Sequence, residues 1–92
     1  MPILTTAEVA EKLTRLPLWQ RAGDNIERTV AFGGFPAAIA FVNKVAEAAE
    51  TANHHPDIDI RWNKVRLALS SHDAGGLTER DFHLAGIIDS LV

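Results

Sequence analysis

The sequence contains no cysteine. That excludes disulfides, thiolate nucleophiles and cysteine-held zinc. No apolar run approaches the roughly 20 residues that a membrane-spanning helix requires. The opening Met-Pro-Ile-Leu-Thr-Thr has neither the basic region nor the long apolar run of a signal peptide, so the cytoplasm is the expected location. Positive charge is sparse as well. Nine Lys and Arg are dispersed against twelve Asp and Glu, for a net charge of −3, and no basic stripe is present to bind phosphates. Direct nucleic-acid binding is not expected, and any part in transcription would act through a protein partner. What remains is an ordinary globular composition, 47% hydrophobic and 23% charged, over 92 residues. That length predicts one domain over residues 1–92, small enough that association would help cover leftover apolar surface.

Local signals order the chain. Thr5 and Glu8 form a capping-box pattern, stapled by Leu4 and Val9, which predicts a helix from about Thr6 until Pro17 stops it. Gly23-Asp24-Asn25 separates two short segments, Leu18 to Arg21 and Ile26 to Phe32, as in a hairpin. Ile26, Arg28, Val30 and Phe32 share one face of the second segment, with Arg28 the misfit. Gly33-Gly34 breaks the strand, and Pro36 opens a long Ala-rich helix to about Ala52. Phe35, Ile39, Val42, Ala46 and Ala49 line one face of that helix. Phe41, Val45, Ala48 and Ala52 add apolar surface beside it, either as a subunit interface or as small residues tolerated next to water. Asn53 is placed to cap the helix, and Pro56 holds His55 extended. Ile58, Ile60 and Trp62, then Val65, Leu67 and Leu69, alternate as a second hairpin. With Asn63-Lys64 as its turn, Trp62 faces Val65 and, on extension, His55 faces His72. Thr78 and Asp81, stapled by Leu77 and Phe82, start a last helix with Leu84, Ile87, Ile88 and Leu91 as its stripe. The order helix, two strands, long helix, two strands, helix predicts an α+β domain of two layers. Its four-stranded antiparallel sheet would carry three helices on one face.

Three of the four histidines gather near the junction of the long helix and the second hairpin. Glu50 stands four positions before His54, where a continuing helix would let its carboxylate orient the imidazole. His55 and His72 converge through the expected register. Close imidazoles disfavour double protonation, which yields a base and an acid near neutral pH. Taken singly, His54-His55-Pro56 also fits a solvated helix terminus, and His72 and His83 also fit surface positions. A three-histidine zinc site is the alternative chemistry. However, the carboxylates nearby are Glu50, Asp57, Asp59 and Asp73, and the spacing is no standard ligand pattern, so no metal is expected. Trp19 and Trp62 are core residues by default, and either could stack on a flat heterocycle.

Glu50, His54-His55-Pro56, Trp62, His72 and Asp81 in this order resemble the signature of the pterin-4a-carbinolamine dehydratases. The likeness extends through Phe32, Phe35, Phe41-Val42-Asn43-Lys44-Val45, Asn63-Lys64-Val65 and His72-Asp73-Ala74-Gly75-Gly76-Leu77-Thr78, and covers most of the chain from Trp19 onward. Departures are mild: Ser71 stands where threonine is common, and Leu18 where glycine is frequent. The resemblance implies a two-layer α+β fold that oligomerises by sheet extension and helix packing, as a homodimer or homotetramer. It implies dehydration of a 4a-hydroxytetrahydropterin to quinonoid dihydropterin in tetrahydrobiopterin recycling, with no cofactor. By position it implies active-site histidines at His54, His55 and His72, an acid at Glu50 and a pocket tryptophan at Trp19. His54 and His55 are then the expected acid/base pair, and His72 the pterin binder and their partner. An aromatic amino-acid hydroxylase is the partner such an activity would serve. The competing reading, also known in that family, is a non-catalytic dimerisation or transcriptional coactivator module, supported here by the apolar long helix.

Overall fold

A computed structural model describes residues 2–92. The elements follow the expected order: α1 (Thr6–Leu13), β1 (Gln20–Ala22), β2 (Asn25–Ala31), α2 (Phe35–Ala52), β3 (Asp57–Arg61), β4 (Lys64–Leu69) and α3 (Glu79–Ser90). The sheet is antiparallel throughout with strand order β1-β2-β4-β3. Alternation places Ile26 and Val30 of β2 beside Val65, Leu67 and Leu69 of β4 on the covered face, all buried. On the opposite face Arg66 donates from Nε and Nη2 to the two carboxylate oxygens of Glu27, each at 3.1 Å, as suits a sheet with helices on one side only.

Both capping boxes form. At α1 the Thr5 side chain accepts from the Glu8 amide, and the Thr5 amide donates to Glu8 Oε1 at 2.9 Å. That bond holds the Glu8 carboxyl below the usual carboxylate range. Helix α1 ends at Leu13, earlier than Pro17 implied, because the chain tightens into turns whose amides at Arg15 and Leu16 return to Lys12 and Leu13.

Two packing expectations need correction, and a third finds its explanation. The stripe of α2 that enters the core is Ala38, Phe41, Val45 and Ala49, whereas Phe35 is half exposed and Ala46 is exposed. The small Ala38 and Ala49 let the helix approach its neighbours, so the rotation of α2 is set by where alanines fall. Arg28, the misfit on β2, is compensated: its guanidinium meets Asp89 of α3 at 2.5 Å. The second correction is one of register: Ile60 pairs with Val65 and Ile58 with Leu67, so the hairpin slides by two positions and the turn falls at Trp62-Asn63. Trp62 leaves the apolar face, adopts a left-handed conformation (φ 52°) and is 70% exposed.

Candidate functional site

The site begins where α2 ends. Asn53 takes the left-handed conformation (φ 50°, ψ 43°), and the His54 amide returns to the Ala49 carbonyl at 3.1 Å. This reversal turns His54 inward, where it is 5% exposed, and leaves His55 outside. The carboxylate of Glu50 therefore meets His55 Nε2, at 2.7 Å, and not His54. The helix does not continue to His54, so the expected four-residue contact is lost and the next imidazole inherits it.

His54 has a different acid. Its Nε2 lies 2.5 Å from Asp81 Oδ1, across 27 positions of sequence. Asp81 is fully buried, and its other oxygen accepts from the Thr78 amide and the Ser71 hydroxyl, each at 2.9 Å. Thr78 Oγ1 in turn stands 2.8 Å from Ser71 Oγ. A buried carboxylate is costly unless fully bonded, and these three donors satisfy it. The far ring nitrogen, Nδ1, faces Arg80 Nη2 at 3.0 Å. A guanidinium can only donate, so Nδ1 accepts and the ring proton lies on Nε2, pointing at Asp81. That geometry holds the His54 ring between a carboxylate at Nε2 and the Arg80 guanidinium at Nδ1. This arrangement orients a general base. Asp81 was legible as a helix cap, but its service to His54 was not, since no local spacing connects them.

His72 lies on the turn from Ser71 to Gly76, which is closed by paired backbone contacts between those two residues. Gly75 there needs its positive φ of 83°. His72 is exposed, with Ser70 Oγ 3.3–3.4 Å from its ring nitrogens. The two-residue slide of the β3–β4 hairpin removes the expected His55–His72 pairing, and Asp57 with Ala68 is the last pair of that ladder. Arg80 links the parts instead: it holds His54 at Nη2 and reaches Asp73, next to His72, at 3.4 Å.

A cavity of about 580 Å³ has His54, Arg80 and Phe82 in its wall together with Leu16, Ala52 and His83. Its volume suits a small organic ligand. His83, read as a surface helix residue, is exposed as expected, yet shares this cavity with His54. His72 lines a separate hollow of about 420 Å³ beside the β1–β2 turn. Trp19 is 3% exposed and donates its indole N–H to Asp89 at 2.8 Å, so within one chain it offers no open ring face. No three His, Asp or Glu side chains among the described residues converge as metal ligands would.

The family model for pterin 4 alpha carbinolamine dehydratase matches residues 2–91. A protein of Acidobacterium capsulatum, provisionally named a pterin-4-alpha-carbinolamine dehydratase, is 61% identical over 92 residues, all of both chains. One from Chloroflexus aurantiacus with the same provisional name is 59% identical, over 100% of this chain and 99% of its own. A crystal structure of a transcriptional coactivator/pterin dehydratase from Brucella melitensis superposes with a TM-score of 0.92 at 32% identity, covering 97% of each chain.

Proposed function

The chain belongs to the pterin-4-alpha-carbinolamine dehydratase family, and on that premise we propose that it dehydrates a 4a-hydroxytetrahydropterin by histidine acid/base catalysis, in recycling of tetrahydrobiopterin. In this reaction the C4a–O bond breaks as the lone pair of the adjacent ring nitrogen forms a C=N bond. The proton on that nitrogen goes to a base, the oxygen takes a proton and leaves as water, and quinonoid dihydropterin remains. The protein need supply only one acceptor and one donor of protons.

The observation that carries this reading is the buried His54–Asp81 pair with Nδ1 directed to the cavity-lining Arg80. A substrate N–H in place of the Arg80 donor would present its proton to the Nδ1 lone pair. Asp81 would then stabilise the imidazolium without itself moving. His55, held by Glu50 at 2.7 Å, is the second imidazole of the pair and delivers the proton to the departing hydroxyl. His72, on the loop that Arg80 joins to His54 through Asp73, is the proposed pterin binder, with the ring reaching from the His54 cavity towards that loop. Trp19 contributes by fixing Asp89 and the base of α3, not by stacking.

Freshly generated carbinolamine provides the test. The unaltered protein is expected to accelerate its dehydration, and Asp81→Asn to lower kcat/KM by roughly 10²-fold or more, the scale of a disabled acid/base group. A folded, fully active Asp81→Asn variant would refute the role of the pair. No acceleration by the unaltered protein would favour the second reading, an interaction module, which the half-exposed Phe35 on apolar α2 supports.

A further inference from the structure

Two imidazoles of the proposed site sit on separate elements: His54 follows α2, and His72 rides the turn from Ser71 to Gly76. Two links run between them, and they differ in strength. The Arg80–Asp73 contacts are 3.4 Å long and partly in solvent, where such pairs contribute little. The other link is buried and passes through Ser71. Its hydroxyl donates to Asp81 Oδ2 at 2.9 Å, while Asp81 Oδ1 meets His54 Nε2. A hydroxyl has one proton, so the 2.8 Å contact between Ser71 and Thr78 is donated by Thr78, whose oxygen accepts the Arg80 amide at 3.3 Å. The donors thus run one way, from the Arg80 amide through Thr78 and Ser71 to a single carboxylate, and each bond polarises the next. Ser71, Thr78 and Asp81 are all buried, where a hydrogen bond to a charge is strongest. The backbone of the same serine closes the His72 turn. Its carbonyl accepts the amides of Ala74, Gly75 and Gly76 at 3.0–3.3 Å, and its amide donates to the Gly76 carbonyl at 3.1 Å. One residue therefore fastens the turn with its main chain and the carboxylate behind His54 with its side chain.

We propose that Ser71 is a positioning residue, which ties the His72 turn to the Asp81–His54 pair and so fixes the two imidazoles relative to each other. Its effect on turnover rests on the dehydratase reading, in which His54 takes the proton while His72 holds the pterin. At 1% exposure Ser71 is sealed from a ligand and acts through these neighbours.

Ser71→Ala removes the tie but leaves the turn's backbone bonds, and the Leu4 amide still donates to the Leu77 carbonyl at 2.8 Å beyond the turn. The variant is expected to fold, with melting checked, and to lower kcat/KM about tenfold, the scale of one lost hydrogen bond to a charged group. Ser71→Thr keeps the hydroxyl and should restore the rate. In a His72→Ala background the Ser71→Ala change should cost about twofold or less, because no second imidazole is left to place. If Ser71→Ala does not fold, Ser71→Cys, of similar shape but a weaker donor, carries the same comparison. Full activity of the folded variant, a folded Ser71→Thr as impaired as Ser71→Ala, or an undiminished cost in the His72→Ala background would overturn the proposal. The imidazole nitrogen resonances of His54 and His72 give a readout independent of turnover. Both should shift in Ser71→Ala and return in Ser71→Thr, and a shift confined to one ring would overturn the tie. Absence of turnover by the unaltered protein removes the dehydratase reading, and the two resonances then decide the tie alone. Turnover that folded Ser71→Ala leaves unchanged removes this inference and leaves that reading.

Discussion

Two adjacent histidines meet different fates because one residue before them turns left-handed. Asn53 ends the helix, His54 goes in to Asp81, and His55 stays out with Glu50. The sequence marked the residues of this junction but not their partners, since helical spacing predicts Glu50 with His54 only while the helix lasts. His72 tests the site from the other loop. It is exposed and opens no cavity on removal, so His72→Ala is expected to lower kcat/KM by roughly 10²-fold while stability changes by about 0.5 kcal/mol or less, measured by turnover and thermal melting together. A folded and fully active variant would remove His72 from the proposed site. Metal-independence is checked at the same scale. Full activity in excess EDTA is expected, and stoichiometric zinc with chelator-sensitive turnover would reverse the acid/base account.

Element order and caps were readable because capping boxes and breakers are local signals. The register of β3 with β4 was not, for a physical reason: sliding a hairpin by two positions leaves the alternation of Ile58, Ile60, Val65 and Leu67 unchanged. Only the turn distinguishes the two registers, and it required Trp62 to accept a positive φ that large side chains seldom adopt. Caps also give α1 a pH dependence. The Glu8 carboxyl is depressed by its bond from the Thr5 amide, so its contribution is present above the ordinary carboxylate pKa and is lost as pH falls through the lowered folded value. Amide exchange in the first turn of α1 is therefore expected to quicken on acidification, and Glu8→Gln should flatten that response. An acid-insensitive first turn in the unaltered protein would contradict this assignment.

At the scale of the whole molecule, Phe35 is 50% exposed, and Ile39, Val42 and Ala46 continue its row along α2 beside the buried stripe. The row expected to be left over, around Phe41 and Val45, is the one the core takes. Self-association should therefore depend on the Phe35 row. Sedimentation at roughly tens of micromolar should show a dimer or larger, and Ile39→Glu should shift it towards monomer. A monomeric unaltered protein, or an assembly indifferent to Ile39→Glu, would exclude that face. The opposite placements of the two tryptophans have an optical consequence. With no tyrosine in the chain, near-ultraviolet emission comes from Trp19, sealed beside Asp89, and Trp62, in solvent at the hairpin tip. A water-soluble quencher should extinguish the red-shifted half of that emission and spare the blue half until the chain unfolds. Neither indole lines the His54 cavity, so a ligand bound there that does not absorb in the near ultraviolet will leave the protein's own fluorescence to report loss of structure.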